Sequence, residues 1–134
     1  MFERIFALQG ALALFVAFIG GIFFARAIVR GQREVAWRVV HSGGAVAGVM
    51  LIALGWVVHL LVLPSWALTL FAFLISSATW AFIVGMVIAA VTGERGLRGG
   101  GASINRVVYA LYMVGTAGSL VSFIPLIFGL ISGF

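Results

Sequence analysis

Apolar residues along this chain neither alternate nor keep to one face; they run. Four stretches, about residues 5–25, 37–63, 66–91 and 104–131, carry almost no charge. Each is about 20 residues or longer, enough for a helix to cross a hydrocarbon core of about 30 Å. Polar and turn-forming residues punctuate them: a basic connector from Arg26 to Trp37 (RAIVRGQREVAW), the Pro64–Ser65 turn, and a glycine-rich basic loop from Thr92 to Gly101 (TGERGLRGGG). Connections this short make successive spans antiparallel. The pattern therefore predicts an all-α integral membrane protein, one antiparallel four-transmembrane-helix bundle over residues 1–134. Glu3 beside Arg4, the length of the first run, and the lack of a small-x-small site before a soluble domain predict a retained span rather than a cleaved leader. Trp37 and Trp66 stand near span ends, where interfacial aromatics collect.

Composition sharpens this picture. The chain is 64% hydrophobic and 8% charged, far from the roughly 25% charged residues of soluble domains. It has no cysteine, which excludes disulfides, thiolate metal sites and thiol nucleophiles. Its three acidic residues, Glu3, Glu34 and Glu94, all lie outside the apolar runs. Paired-carboxylate catalysis, carboxylate-rich metal sites and proton-driven transport are thus not expected. Eight basic residues give a net charge of +5. Arg26, Arg30, Arg33, Arg38, Arg95, Arg98 and Arg106 belong to two connectors on one side, against Arg4 on the other. The positive-inside bias then predicts cytoplasmic basic loops and both termini outside, with no nucleic-acid partner. TGERGLRGGG lacks the lysine of a phosphate-binding loop.

Candidate chemistry concentrates at Trp37–Met50, WRVVHSGGAVAGVM. An ionisable residue within a span is costly to bury and points to function. Gly44, Gly48, Ile52, Gly55 and His59 all fall within roughly 60° of His41 around an ideal helix, a glycine stripe with an imidazole at each end. Such a stripe admits a closely packed neighbouring helix or a flat apolar cofactor held by His41. Further small residues recur four apart at Gly115 and Ser119 and at Gly129 and Gly133, marking close helix contacts within or between subunits. Ser42 suits a bond to the helix backbone one turn back. His59, about 27 Å along the helix from His41, reads as an interfacial histidine or as the ligand of a second cofactor.

The Trp37, His41, Ser42, Gly43, Gly48 and Met50 pattern resembles the styrene oxide isomerase family, small four-span bacterial membrane proteins. Phe2, Glu3, Arg4 and Gly10 resemble that family's amino-terminal stretch. Trp80 and Arg95–Gly96–Leu97 fall where it has a third-span tryptophan and an Arg-Gly-Leu. The resemblance implies a bacterial inner-membrane protein, a homotrimer with haem b between subunits, and His41 as the axial iron ligand. It also implies isomerisation of a small apolar epoxide to an aldehyde, with ferric haem acting as a Lewis acid. Arg38, one turn before His41, suits a haem propionate, and Arg33 or Arg95 could supply a second cation. Ser42, Gly44, Gly48, Trp80 and Met86 complete the expected cofactor environment.

The chain departs from that family's pattern at three polar positions. Ala47 stands for an asparagine, Ala78 for an aspartate and Met86 for a tyrosine. Met86 reads either as core packing or as a thioether iron ligand, and Trp80 as packing or as a haem wall. Three functions remain open: an epoxide isomerase with an altered pocket, a small b-type cytochrome or haem sensor, and a haem-free structural subunit.

Overall fold

The computed structural model describes residues 1–134. Four helices follow one another, α1 (Phe2–Arg30), α2 (Glu34–Val57), α3 (Ser65–Thr92) and α4 (Ser103–Ile131), with a single 3-10 turn, Val58–Leu60, after α2. All four are long and apolar enough to cross a membrane, so the chain is an all-α, multi-pass membrane bundle.

The helices overrun the apolar stretches by a few residues and stop where the backbone turns left-handed. Gly31 (φ 63°) and Gly93 (φ 85°) terminate α1 and α3, a conformation that lacks a steric penalty only without a Cβ. Arg33, which starts α2, is the single non-glycine residue with positive φ, at 56°. Its guanidinium donates to the carbonyls of Ala90 and Val91 in the last turn of α3. That contact occupies orphan helix-end acceptors and draws the two basic connectors together. The second span is shorter than its apolar run. α2 ends at Val57, and the following connector bends so that the Val62 N–H donates to the Gly129 carbonyl near the end of α4, at 3.0 Å.

α1 packs along α2 and α4 along α3, and the two hairpins meet through α2 and α3. Buried positions of α1 are Phe6, Gly10, Ala13, Ala17, Gly20 and Ala27, a seam of mostly small residues spaced alternately four and three. Within lipid there is little hydrophobic drive between apolar helices, so close van der Waals approach has to hold them. A Cβ on Gly10 would stand 2.6 Å from the Gly48 carbonyl oxygen, and one on Gly48 would stand 2.8 Å from that of Gly10. The α3–α4 seam works likewise, with Phe82 seated over Gly115, Ala78 on Gly118 and Tyr112 on Gly85.

A cluster of larger side chains fills the end that holds the termini. Phe6, Leu51, Leu54, Val58, Phe71, Ile75 and Leu126 form one cluster there, with Phe6 edge-on to Phe71. Toward the basic end α1, α2 and α3 enclose a cleft of about 450 Å³ instead.

Candidate functional site

His41 sits one turn into the apolar part of α2, half-buried against α1. Its Nδ1 lies 2.9 Å from the Ala17 carbonyl oxygen. A carbonyl can only accept, so Nδ1 carries the proton and, in the neutral ring, Nε2 keeps the lone pair. Nε2 makes no hydrogen bond within the chain. A backbone carbonyl holding one imidazole nitrogen so that the other can bind a metal is the usual way a histidine ligand is oriented.

The ring fits there because of Gly21. A Cβ at that position would stand 2.9 Å from His41 Nδ1 and 3.1 Å from Cε1. Position 21 is outside the α1–α2 seam, so helix packing does not explain its glycine; the imidazole does. No group of three or more His, Cys, Asp or Glu residues gathers anywhere in the chain. A lone imidazole therefore suits a metal that arrives with its other ligands, as iron does in a porphyrin.

The other expected site residues distribute unevenly around this centre. Arg38 and Ser42 flank His41 on the exposed side of α2, and the Ser42 hydroxyl donates to the Arg38 carbonyl at 2.8 Å. Gly44 and Gly48, expected against a cofactor, are instead covered by α1. A Cβ on Gly44 would stand 3.1 Å from the Ala17 Cβ, and one on Gly48 2.7 Å from Leu14 Cγ. Of the two uses open to a glycine stripe, this one seats a helix.

Met86 lies across Gly43, its sulfur 2.9 Å from where a Cβ would be. Positions 41 and 43 are about 160° apart around a helix, so Met86 and His41 occupy opposite sides of α2. A His41/Met86 iron pair within one chain is excluded by that geometry. Trp80 is half-buried on α3, about 9 Å along the axis from Met86. Ala78 lies in the α3–α4 seam against Gly118, and Ala47 is half-buried on α2.

His59 does not continue the stripe. It lies in the 3-10 turn and pairs with Glu3, Nε2 to Oε2 3.2 Å, both side chains about half exposed. A pairing partner at the far end of the molecule gives it an interfacial place remote from His41. Arg33 is engaged with the end of α3, which leaves Arg38 as the free cation nearest His41 in sequence.

Two features had no signal among the motifs. Asn105 organises the 93–102 loop, accepting from the Gly96 N–H at 2.9 Å and donating to the carbonyls of Arg98 (2.9 Å) and Gly100 (2.7 Å). Gly96, the centre of the Arg-Gly-Leu triplet, has φ 60°, and a Cβ there would collide with Val108. Gly96 is thus a folding requirement of the loop. Gln9 keeps a buried, unpartnered Oε1 in α1. Gly21 was legible in principle, as the second glycine of a pair of which only Gly20 lies on the seam.

The family model for styrene oxide isomerase matches residues 2–131, nearly the whole chain. No curated protein matches it.

Proposed function

The chain belongs to the styrene oxide isomerase family, and we propose that it is an isomerase-like membrane protein that binds haem b through His41. The observation that carries this is the Nδ1–Ala17 hydrogen bond, which leaves Nε2 as a fixed, unengaged donor atom. Ferric haem would supply a Lewis acid able to polarise an epoxide oxygen, as the family's epoxide-to-carbonyl isomerisation requires. His41 would hold the iron and Arg38 would face a propionate. The two cavities beside α2 do not include His41. In a homotrimer with haem between subunits, as the family pattern implies, neighbouring copies would supply the remaining walls of the site. By family and by charge distribution, the protein belongs in a bacterial inner membrane with basic connectors in the cytoplasm and both termini outside.

Three positions that are polar in the family pattern are apolar here, which favours slow chemistry. Ala47, Ala78 and Met86 offer methyl groups and a thioether where the family pattern carries an amide, a carboxylate and a phenol. Loss of one well-placed donor costs on the order of 10²–10³ in rate. That observation also favours the second reading, a haem protein serving electron transfer or sensing.

The test is an absorption spectrum of the detergent-purified protein, with and without dithionite, followed by a styrene oxide assay. A Soret band is expected, abolished by His41→Ala and kept by His59→Ala, with turnover of styrene oxide near the detection limit. Absence of the band ends the haem reading. Fast turnover ends the argument from the three replaced positions.

A further inference from the structure

The basic end holds two adjoining cavities, neither lined by His41. The inner one, about 450 Å³, is walled by Val16, Ile19, Val40, Val87 and neighbouring apolar residues of α1, α2 and α3. The outer one, about 230 Å³, is lined by Arg26, Arg30, Gln32 and Arg33. Phe23, Arg33 and Trp37 belong to both, and the Phe23 and Trp37 rings stack at 4.6 Å and 24° where the two meet. The combined space is apolar within and cationic at its mouth.

Its arginines lack acidic partners. Glu3 meets His59 instead, at the opposite end. Arg26 and Arg30 stand one turn apart on α1, an arrangement of like charges that is unfavourable unless an anion lies between them. Arg26 also rests over the Phe23 ring, 5.8 Å from its centroid, and Arg33 is held by the end of α3. Topology alone requires arginines on this side but not around a cavity. Basic pockets between membrane helices are suited to anionic lipid headgroups.

We propose that this cleft holds one acyl chain of an anionic phospholipid, with Arg26 and Arg30 on its phosphate and Arg33 closing the mouth. The occupant is fixed by complementarity of both parts: a bilayer supplies molecules that are apolar at one end and anionic at the other. His41 is not part of the cleft's lining, and the site does not depend on haem. Its role is to fill the gap where the helices part, the position that bulky side chains fill at the other end.

The full chain is delipidated in detergent, re-exposed to dioleoyl phosphatidylglycerol or dioleoyl phosphatidylcholine, and examined by native mass spectrometry. One phosphatidylglycerol per chain is expected to remain, in clear preference to phosphatidylcholine. Each arginine near an anionic surface is worth about fivefold in affinity, so Arg26→Gln with Arg30→Gln should weaken retention by roughly 30-fold. The Soret band should be unchanged in that variant, and His41→Ala should keep the lipid. Val87→Trp, which fills the inner chamber, should exclude the chain; if it fails to fold, the arginine pair decides. Equal retention of both lipids, or undiminished retention by the arginine variant, overturns the proposal. So does loss of the Soret band with lipid binding intact, which would assign these arginines to the haem. A loss of oligomers in Val87→Trp that is independent of lipid would assign the cleft to a second copy and likewise overturn it.

Discussion

At the scale of single residues, two backbone features decide what His41 can do. The Ala17 carbonyl selects the tautomer, and the missing side chain of Gly21 leaves room for the ring. Gly21→Ala would put a methyl carbon 2.9 Å from Nδ1, inside ordinary contact distance. The imidazole would have to turn away and lose its hydrogen bond. Loss of such a supporting contact typically lowers metal affinity 10–100-fold. We expect Gly21→Ala to lower haem retention on that scale, measured as Soret absorbance per protein after gel filtration, while the far-ultraviolet circular dichroism stays helical. Full retention would show that the Ala17 bond does not orient the ligand. Ser42 belongs to the same scale but has a local outcome: its hydroxyl serves the backbone of its own helix.

At the scale of elements, glycine acts through helix separation. Gly44 and Gly48 looked equally suited to a flat cofactor and to a neighbouring helix, because both need only the absence of a side chain. The answer lay in α1, whose seam of Gly10, Ala13, Ala17 and Gly20 matches that stripe in register. A methyl on Gly48 meets the backbone oxygen of Gly10 at 2.8 Å, and backbone yields less readily than a side chain. Overpacking of this kind costs about 1–3 kcal/mol. The usual helix-propensity gain of alanine over glycine offsets little, since α2 stays helical in lipid even when its partners separate. Gly48→Ala should therefore lower stability in detergent unfolding by about that amount. Gly100→Ala, at a position with nothing within 4 Å, should change it by less than about 0.5 kcal/mol. Equal, small effects from both would show that α1 and α2 are not held by close approach.

At the scale of the whole molecule, the bundle is two hairpins joined at one end and parted at the other. Both basic connectors lie at the parted end, tied by Arg33 to the last turn of α3. Seven of the eight basic residues accompany them. By the positive-inside bias this count predicts the orientation: alkaline phosphatase fused to either terminus should be active in a bacterial host, and green fluorescent protein fused there should stay dark. Fluorescence from either fusion would invert the topology and move His41 to the outer leaflet.

Hydropathy by itself determined the four spans, their order and the side on which charge collects. Each of these is a one-dimensional property: a run either can or cannot cross a lipid core, whatever its neighbours do. The histidine worth attention was legible for the same reason, since an imidazole inside such a run is costly wherever it points. What the runs did not carry was direction around each helix. These helices are apolar on nearly every side, so no polar face marks which residues turn inward. Only the tertiary structure showed that α1 covers the glycine stripe, that Met86 and His41 lie on opposite sides of α2, and that His59 meets Glu3 where α2 gives way to a 3-10 turn. The same holds for Asn105, whose three hydrogen bonds join residues five to nine positions away in a loop without periodicity. In a membrane helix the cost of insertion depends on the run as a whole, whereas contact depends on a few ångströms between particular atoms, and that distance exists only once the helices have packed.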